Sequence, residues 1–307
     1  VSAGFWMKAV RFSLLQLNRR PISSRNWRPI LLVFVKDIDE RIELVKLAAA
    51  FGQYRGVLSV SSLLFDGEPG PAERQAVIRR SMQERLSAYG LEAFCEVNVV
   101  QTLHEGILNI SKGHGIAGLK TNTIMFGWSE NRLSNIRELK IIRDLARSGK
   151  SILLVRFNDH EFWRVRRHHR IDLWWGGREN NGDLMLILAY MLTLNRGWEK
   201  AQIQIHSVVR TPAEKDQLQQ GIKTSLARAR ITAHINIKLK GEDHFPNILK
   251  RESTGADIVF LGLKHTPNRE APKHAAKLEG MSRVAKMVVF VQNNSQDNSL
   301  PILLRQR

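Results

Sequence analysis

From Pro29 onward the chain alternates short apolar runs rich in Val, Ile and Leu with longer stretches whose apolar residues recur at helical spacing. The first set of runs covers residues 29–35, 56–65, 91–100, 122–128 and 151–157, and helical spacing fills the gaps at 39–51, 71–89, 102–111 and 131–148. Strands that are apolar on both faces and separated by helices predict a parallel sheet covered on each side. The order then restarts, with runs at 170–175, 201–210, 233–239, 256–263 and 287–292 and helices at 182–194, 212–230 and 271–286. Such a repeat predicts two doubly wound α/β halves of one kind.

Two segments fall outside the rhythm. Residues 1–25 carry Lys8, Arg11, Arg19, Arg20 and Arg25 with no acid, while Phe5, Trp6, Val10, Phe12, Leu14, Leu15 and Leu17 fall mostly at helical spacing. This is a basic amphipathic helix ending at Pro21, suited either to packing on the domain or to lying under a bilayer. Residues 158–169, where HEFWRVRRHHR crowds arginines and histidines, are expected to connect two separately folded halves. The chain thus divides into 1–25, 26–157, 158–169 and 170–307.

Composition narrows the class. A 307-residue chain with 43% hydrophobic and 25% charged residues has material for real cores, which excludes disorder, collagen and small disulfide scaffolds. Cys95 is the lone cysteine, so no intrachain disulfide forms and a reducing, cytoplasmic setting fits. No run of apolar residues is long enough to span a bilayer, since Lys8 and Arg11 break the opening, and that opening lacks the small-residue cleavage site of a signal peptide. With 47 basic and 29 acidic residues the net charge is +18, which seeks an anionic surface. No helix-turn-helix, zinc pattern or aromatic platform directs it to nucleic acid, and juxtamembrane enrichment in Lys and Arg supplies the same charge.

Chemistry-bearing residues are sparse. Gly113, Gly115 and Gly118 match a dinucleotide fingerprint, but they follow a helix and precede a strand, the reverse of the order that aims helix amides at phosphate; they read as a turn. Better placed are the carboxyl ends of the first and fourth strands, where a sheet of order 3-2-1-4-5 opens its crevice. In the first half these are Lys36 with Asp37, and Gly127, Trp128 and Ser129; Lys36 is suited to a phosphate and Trp128 to a base or to the core. In the second half Trp174 and Trp175 point to opposite sheet faces, so each packs beneath one helix layer, and the loop from Gly176 through Gly177 to Gly182 is a contact surface. His168 and His169 diverge rather than chelate, no metal-ligand cluster or nucleophile elbow is present, and Cys95 lies in a buried strand, so no enzyme is expected.

Three blocks carry a family resemblance: NWRPILLVF (26–34), GLKTNTIMFGW (118–128), and IDLWWGGRENNGDLMLILAYMLT followed by WEKAQIQI (171–205). In this order they resemble the cytosolic C-terminal domain of cation-chloride cotransporters. The resemblance implies two halves similar to universal stress proteins and a homodimer. It also implies a transmembrane part that carries K-Cl or Na-K-Cl symport, with this domain regulating from the cytoplasmic face. Some members hold a nucleotide in the first half, which carried over points to Arg28 and Lys36 and to ATP or another adenine nucleotide. Thr121 stands where a proline is common, and the long Ser/Thr-bearing insertions of animal members are missing, as in a compact prokaryotic-type member. The alternative from the residues alone is a freestanding nucleotide-binding stress-type protein.

Overall fold

A computed structural model describes residues 3–19, 29–53, 56–66, 71–116, 119–165, 167–176, 181–265 and 267–294. Helix α1 (Ala3–Arg19) is followed by β1 (Leu31–Phe34), α2 (Ile42–Phe51), β2 (Leu58–Phe65), α3 (Pro71–Ala88), β3 (Phe94–Val100) and α4 (Leu103–Gly113). A small hairpin, β4 (Gly115–Ile116) with β5 (Leu119–Lys120), precedes β6 (Thr123–Gly127), α5 (Arg132–Ala146) and β7 (Ser151–Phe157). The second half runs β8 (Arg170–Trp174), α6 (Asn181–Thr193), β9 (Gln202–Val209), α7 (Pro212–Ala229), β10 (His234–Leu239), α8 (Phe245–Ser253), β11 (Ile258–Gly262), α9 (Ala271–Met281) and β12 (Met287–Gln292).

Every expected strand forms. Setting the hairpin aside, each half has the order 3-2-1-4-5, and the fifth strands β7 and β12 pair antiparallel, so one ten-stranded sheet runs β3-β2-β1-β6-β7-β12-β11-β8-β9-β10. All other neighbours in it are parallel. Since β12 opposes β7, the carboxyl ends of the second half's strands lie on the same side as the amino ends of the first half's strands.

Strand alternation sends odd-numbered β1 residues such as Leu31 and Val33 into one core and Ile124 and Phe126 of β6 into the other. Each core draws on both halves, and α2 packs on α6 while α5 packs on α9. That pairing explains why α2 and α6 are apolar nearly all round: one side meets the sheet and the other meets the opposite half. As a dimer surface α6 is therefore excluded, because Leu184, Met185, Leu186, Leu188, Ala189 and Leu192 are all fully buried within the chain.

The connection between the halves is pinned as well, at Asn158, Phe162, His168 and His169. Asn158 Nδ2 donates to the carbonyls of Ser282 and Ala285 at 2.7 Å each, and buried Phe162 stacks on His168 at 4.5 Å, which in turn stacks on Trp198 at 4.1 Å. The Asp257 carboxylate accepts from His169 N at 2.6 Å and Lys286 Nζ at 2.8 Å, and those bonds, with His168 beside it, hold its pKa well below the usual range against the opposing pull of burial.

Candidate functional site

The carboxyl ends of β1, β2 and β6 open into a cavity of about 840 Å³, large enough for a nucleotide-sized ligand. Its position is dictated by topology: β1 and β6 are neighbours whose following helices leave on opposite faces, which parts the layers above them. Of the residues named from sequence, Lys36, Asp37, Gly127 and Ser129 line it, and Arg28 lies outside the described residues.

Trp128 does not line this cavity; of the two places expected for it, near a base or in the core, it takes the core. Its backbone N–H donates to Val155 O at 2.7 Å, turning the chain toward β7, and the buried ring lies against Phe290 with Nε1 donating to Glu279 Oε2 at 2.7 Å. It joins the halves. Asp37 and Ser129 shape the rim: Asp37 Oδ1 accepts from the N–H groups of Asp39 and Glu40, while Ser129 exchanges backbone hydrogen bonds with the Asn135 side chain at the start of α5.

The charge in the cavity comes mostly from elsewhere. Arg41, Arg74 and Arg137 join Lys36 in lining it, with stacked Phe34 and Phe126 as an apolar wall. The Arg41 guanidinium lies across Gly127, where an added Cβ would come within 2.5 Å of Nη1. Ser134, Arg137, Glu138 and Ile141 present one face of α5 to the same space, a helical spacing visible in the sequence only once that face is known to be the lining. Glu138 is half-buried, but its Oε2 is withdrawn from solvent without a hydrogen-bond partner, and burial pushes its pKa up to about 8 against the opposing pull of Arg41. Four cations against the Asp37 carboxylate, which is engaged by the N–H groups of Asp39 and Glu40, and the Glu138 carboxyl, which burial favours in its protonated form, leave the cavity cationic, and with the aromatic wall suit an anionic ligand with a flat apolar portion.

The equivalent place in the second half is filled. The Trp175 ring covers Gly182, where a Cβ would meet it at 2.5 Å, and Asn181 closes on Gly262, accepting from Asn293 N at 2.7 Å. Trp174 takes the other sheet face, its Nε1 donating to Ser253 Oγ at 2.9 Å, so the two tryptophans pack beneath opposite layers as their alternation requires. Residues 177–180 of the glycine loop, like Gly118, lie outside the described residues.

One arrangement has the form of a nucleophile relay: His114 Nδ1 is 2.5 Å from Thr121 Oγ1, and His114 Nε2 is 3.1 Å from Glu96 Oε1. Thr121 is only 2% exposed, so its hydroxyl meets no substrate; the contacts tie the β4–β5 hairpin to β3. Gly115, at φ +135° with Leu119 O and Lys120 Cα where a Cβ would stand, belongs to that hairpin and not to a phosphate cradle. Among the described residues no group of three His, Cys, Asp or Glu gathers as for a metal, and no helix is long and apolar enough to cross a membrane.

No family model matches the chain. The fold is similar to the crystal structure of the cytoplasmic domain of a prokaryotic cation chloride cotransporter, with a TM-score of 0.62 and 18% identity over 90% of this chain and 100% of that one. It is also similar to a universal stress protein from Archaeoglobus fulgidus DSM 4304, with a TM-score of 0.57 and 14% identity over 87% of this chain and 97% of that one. The architecture of two stress-protein-like halves, expected from sequence, is thus the observed one.

Proposed function

We propose that the chain is the regulatory and dimerising cytosolic domain of a membrane cation-chloride cotransporter, with K-Cl or Na-K-Cl symport carried by a transmembrane part of the same protein. Both similar structures share the fold, so the fold alone favours neither this reading nor a freestanding stress-type protein. The observation that carries the choice is α1. Phe5, Trp6, Met7, Val10, Phe12 and Leu15 stay exposed on a helix that bears Lys8, Arg11 and Arg19 and no acid, which supports a helix lying at a surface over one packed on the domain. A protein free in water gains nothing from such a helix, whereas one lying along an anionic cytoplasmic leaflet buries its apolar side and neutralises its charge.

The domain acts by binding rather than by catalysis. Its effector is an adenine nucleotide in the first-half cavity, with Lys36, Arg41 and Arg137 toward the phosphates, and α1 passes the resulting movement to the ion path. A two-fold dimer suits a dimeric transporter, and with α6 buried the pairing surface lies on another face.

Chloride-dependent rubidium uptake by membrane vesicles from cells expressing the full gene product tests the reading. Deleting residues 29–307 should lower uptake at least fivefold. Recovery of the chain among water-soluble proteins, with uptake unchanged, would refute the transporter assignment and favour the stress-type alternative. Calorimetry with ATP tests the effector: heat is expected from the wild type and not from Arg41→Gln/Arg137→Gln, and a silent wild type would remove the nucleotide from the account.

A further inference from the structure

The end of the first half opposite the crevice is where the chain arrives from α1, and it is cationic. Ile30 N donates to Asn122 Oδ1 at 2.9 Å, fixing the incoming chain at the amino ends of β1 and β6. Beside it, Lys150 at the start of β7 donates to Thr121 O at 2.6 Å. A cleft of about 470 Å³ between α4 and α5 opens at this edge, lined by Leu108, Lys112, Asp144, Arg147, Ser148 and Lys150. Its one acid is already engaged, since Asp144 pairs with Arg143 and lies 3.1 Å from His104 Nε2. Burial, with Lys120 nearby, depresses the Lys150 pKa, an electrostatic debit that an adjacent phosphate would relieve. Lys264 stands on the same side, because the antiparallel junction turns the carboxyl end of β11 this way.

Residues 20–28 separate α1 from Pro29, so the helix can travel no more than roughly 30 Å from this edge. If α1 rests on a bilayer, the edge at which the chain from α1 attaches is the nearer of the two to the headgroups, and the nucleotide-sized cavity then faces away. The geometry points to the amino edge of the first half as a second seat on an anionic bilayer, with the cleft of Lys112, Arg147 and Lys150 receiving a lipid phosphate. This rests on the reading that α1 lies on the leaflet and adds to it the orientation of the whole domain.

The test uses the full chain with Cys95→Ser and an environment-sensitive dye on Gly113→Cys, beside the cleft where the glycine has open space, or on exposed Leu133→Cys at the opposite edge. With vesicles rich in phosphatidylglycerol, the dye at 113 should shift to the blue and the dye at 133 should not; phosphatidylcholine vesicles should give neither shift. Lys112→Gln/Arg147→Gln should weaken binding roughly 25-fold, the effect of two basic residues at such a surface, and abolish the shift. Arg132→Gln/Arg164→Gln, at the far edge, should change binding less than about threefold.

Binding that needs Phe5, Trp6, Phe12 and Leu15 but leaves the dye at 113 silent overturns the seat and spares α1. A shift at 113 that persists when those four become serine supports the seat and removes the α1 reading. Equal shifts at 113 and 133, or no binding at all, overturn the proposal.

Discussion

The two halves share one topology, yet their crevices differ: the first holds about 840 Å³ of space among cations, and the second holds the Trp175 ring and the Asn181 side chain. A repeated fold therefore need not repeat a site. In the first half the strand ends carry Lys36 and Gly127, and Arg41 reaches across the glycine with a flexible side chain that can move aside. In the second half the half-buried Trp175 indole sits against the start of α6 at Gly182. The first crevice leaves room for a ligand, whereas side chains occupy the second.

Emptying the filled crevice should have the largest effect. Trp175→Ala is expected to cost about 3 kcal/mol, because half-buried aromatic surface is lost and α6 is left poorly supported, whereas Lys36→Ala at the corresponding end of the first half should stay within about 0.5 kcal/mol. Denaturant unfolding of both variants checks this, and equal costs would abolish the distinction. Smaller, but in the same direction, Gly182→Ala should cost about 2 kcal/mol by overpacking against the Trp175 ring, while Gly127→Ala displaces only the end of Arg41 and should cost less than about 1 kcal/mol. Thermal melts of the two alanine variants compare the walls directly.

The smallest effect concerns protons. Glu138 is pushed up to about 8, so between its unfolded value near 4.5 and that pH the folded chain keeps a proton the unfolded chain has lost. Its contribution to stability falls as pH rises through that window and is flat on either side. Glu138→Gln should remove this slope and raise stability at pH 8 by at least about 1 kcal/mol relative to pH 5. An unchanged slope in the variant would mean that Glu138 reaches solvent when the cavity is empty. ATP, if it binds, should change the slope in the wild type alone.

Much of this comparison was legible in the residues. Lys36, Asp37, Gly127 and Ser129 could be found because a strand's carboxyl end is marked by where its apolar run stops. Arg41, Arg74, Arg137 and Glu138 could not, since each comes from or borders a helix whose rotation is set by packing, and a charged residue on a helix is ordinarily solvated. Which of its two expected places Trp128 takes was hidden for a related reason: it lies one residue past β6, where the hydrogen bond to Val155, made in space, decides which way the chain turns.

By itself the sequence determined the ten strands of the main sheet, their alternation with helices, and the likeness of the halves, because strands covered on both faces must be apolar whatever covers them, although the edge strands β3 and β10 are only partly buried. It also determined that α1 is a basic amphipathic helix, since its acid-free charge and large apolar residues are local properties, but not whether that helix packs on the domain. Tertiary structure alone decided that β7 and β12 join the halves, that α2 covers α6, that one crevice stays open and that the cationic edge lies beside the incoming chain. Those outcomes depend on pairings between segments far apart along the chain, and an apolar run specifies that it will be buried without specifying against what.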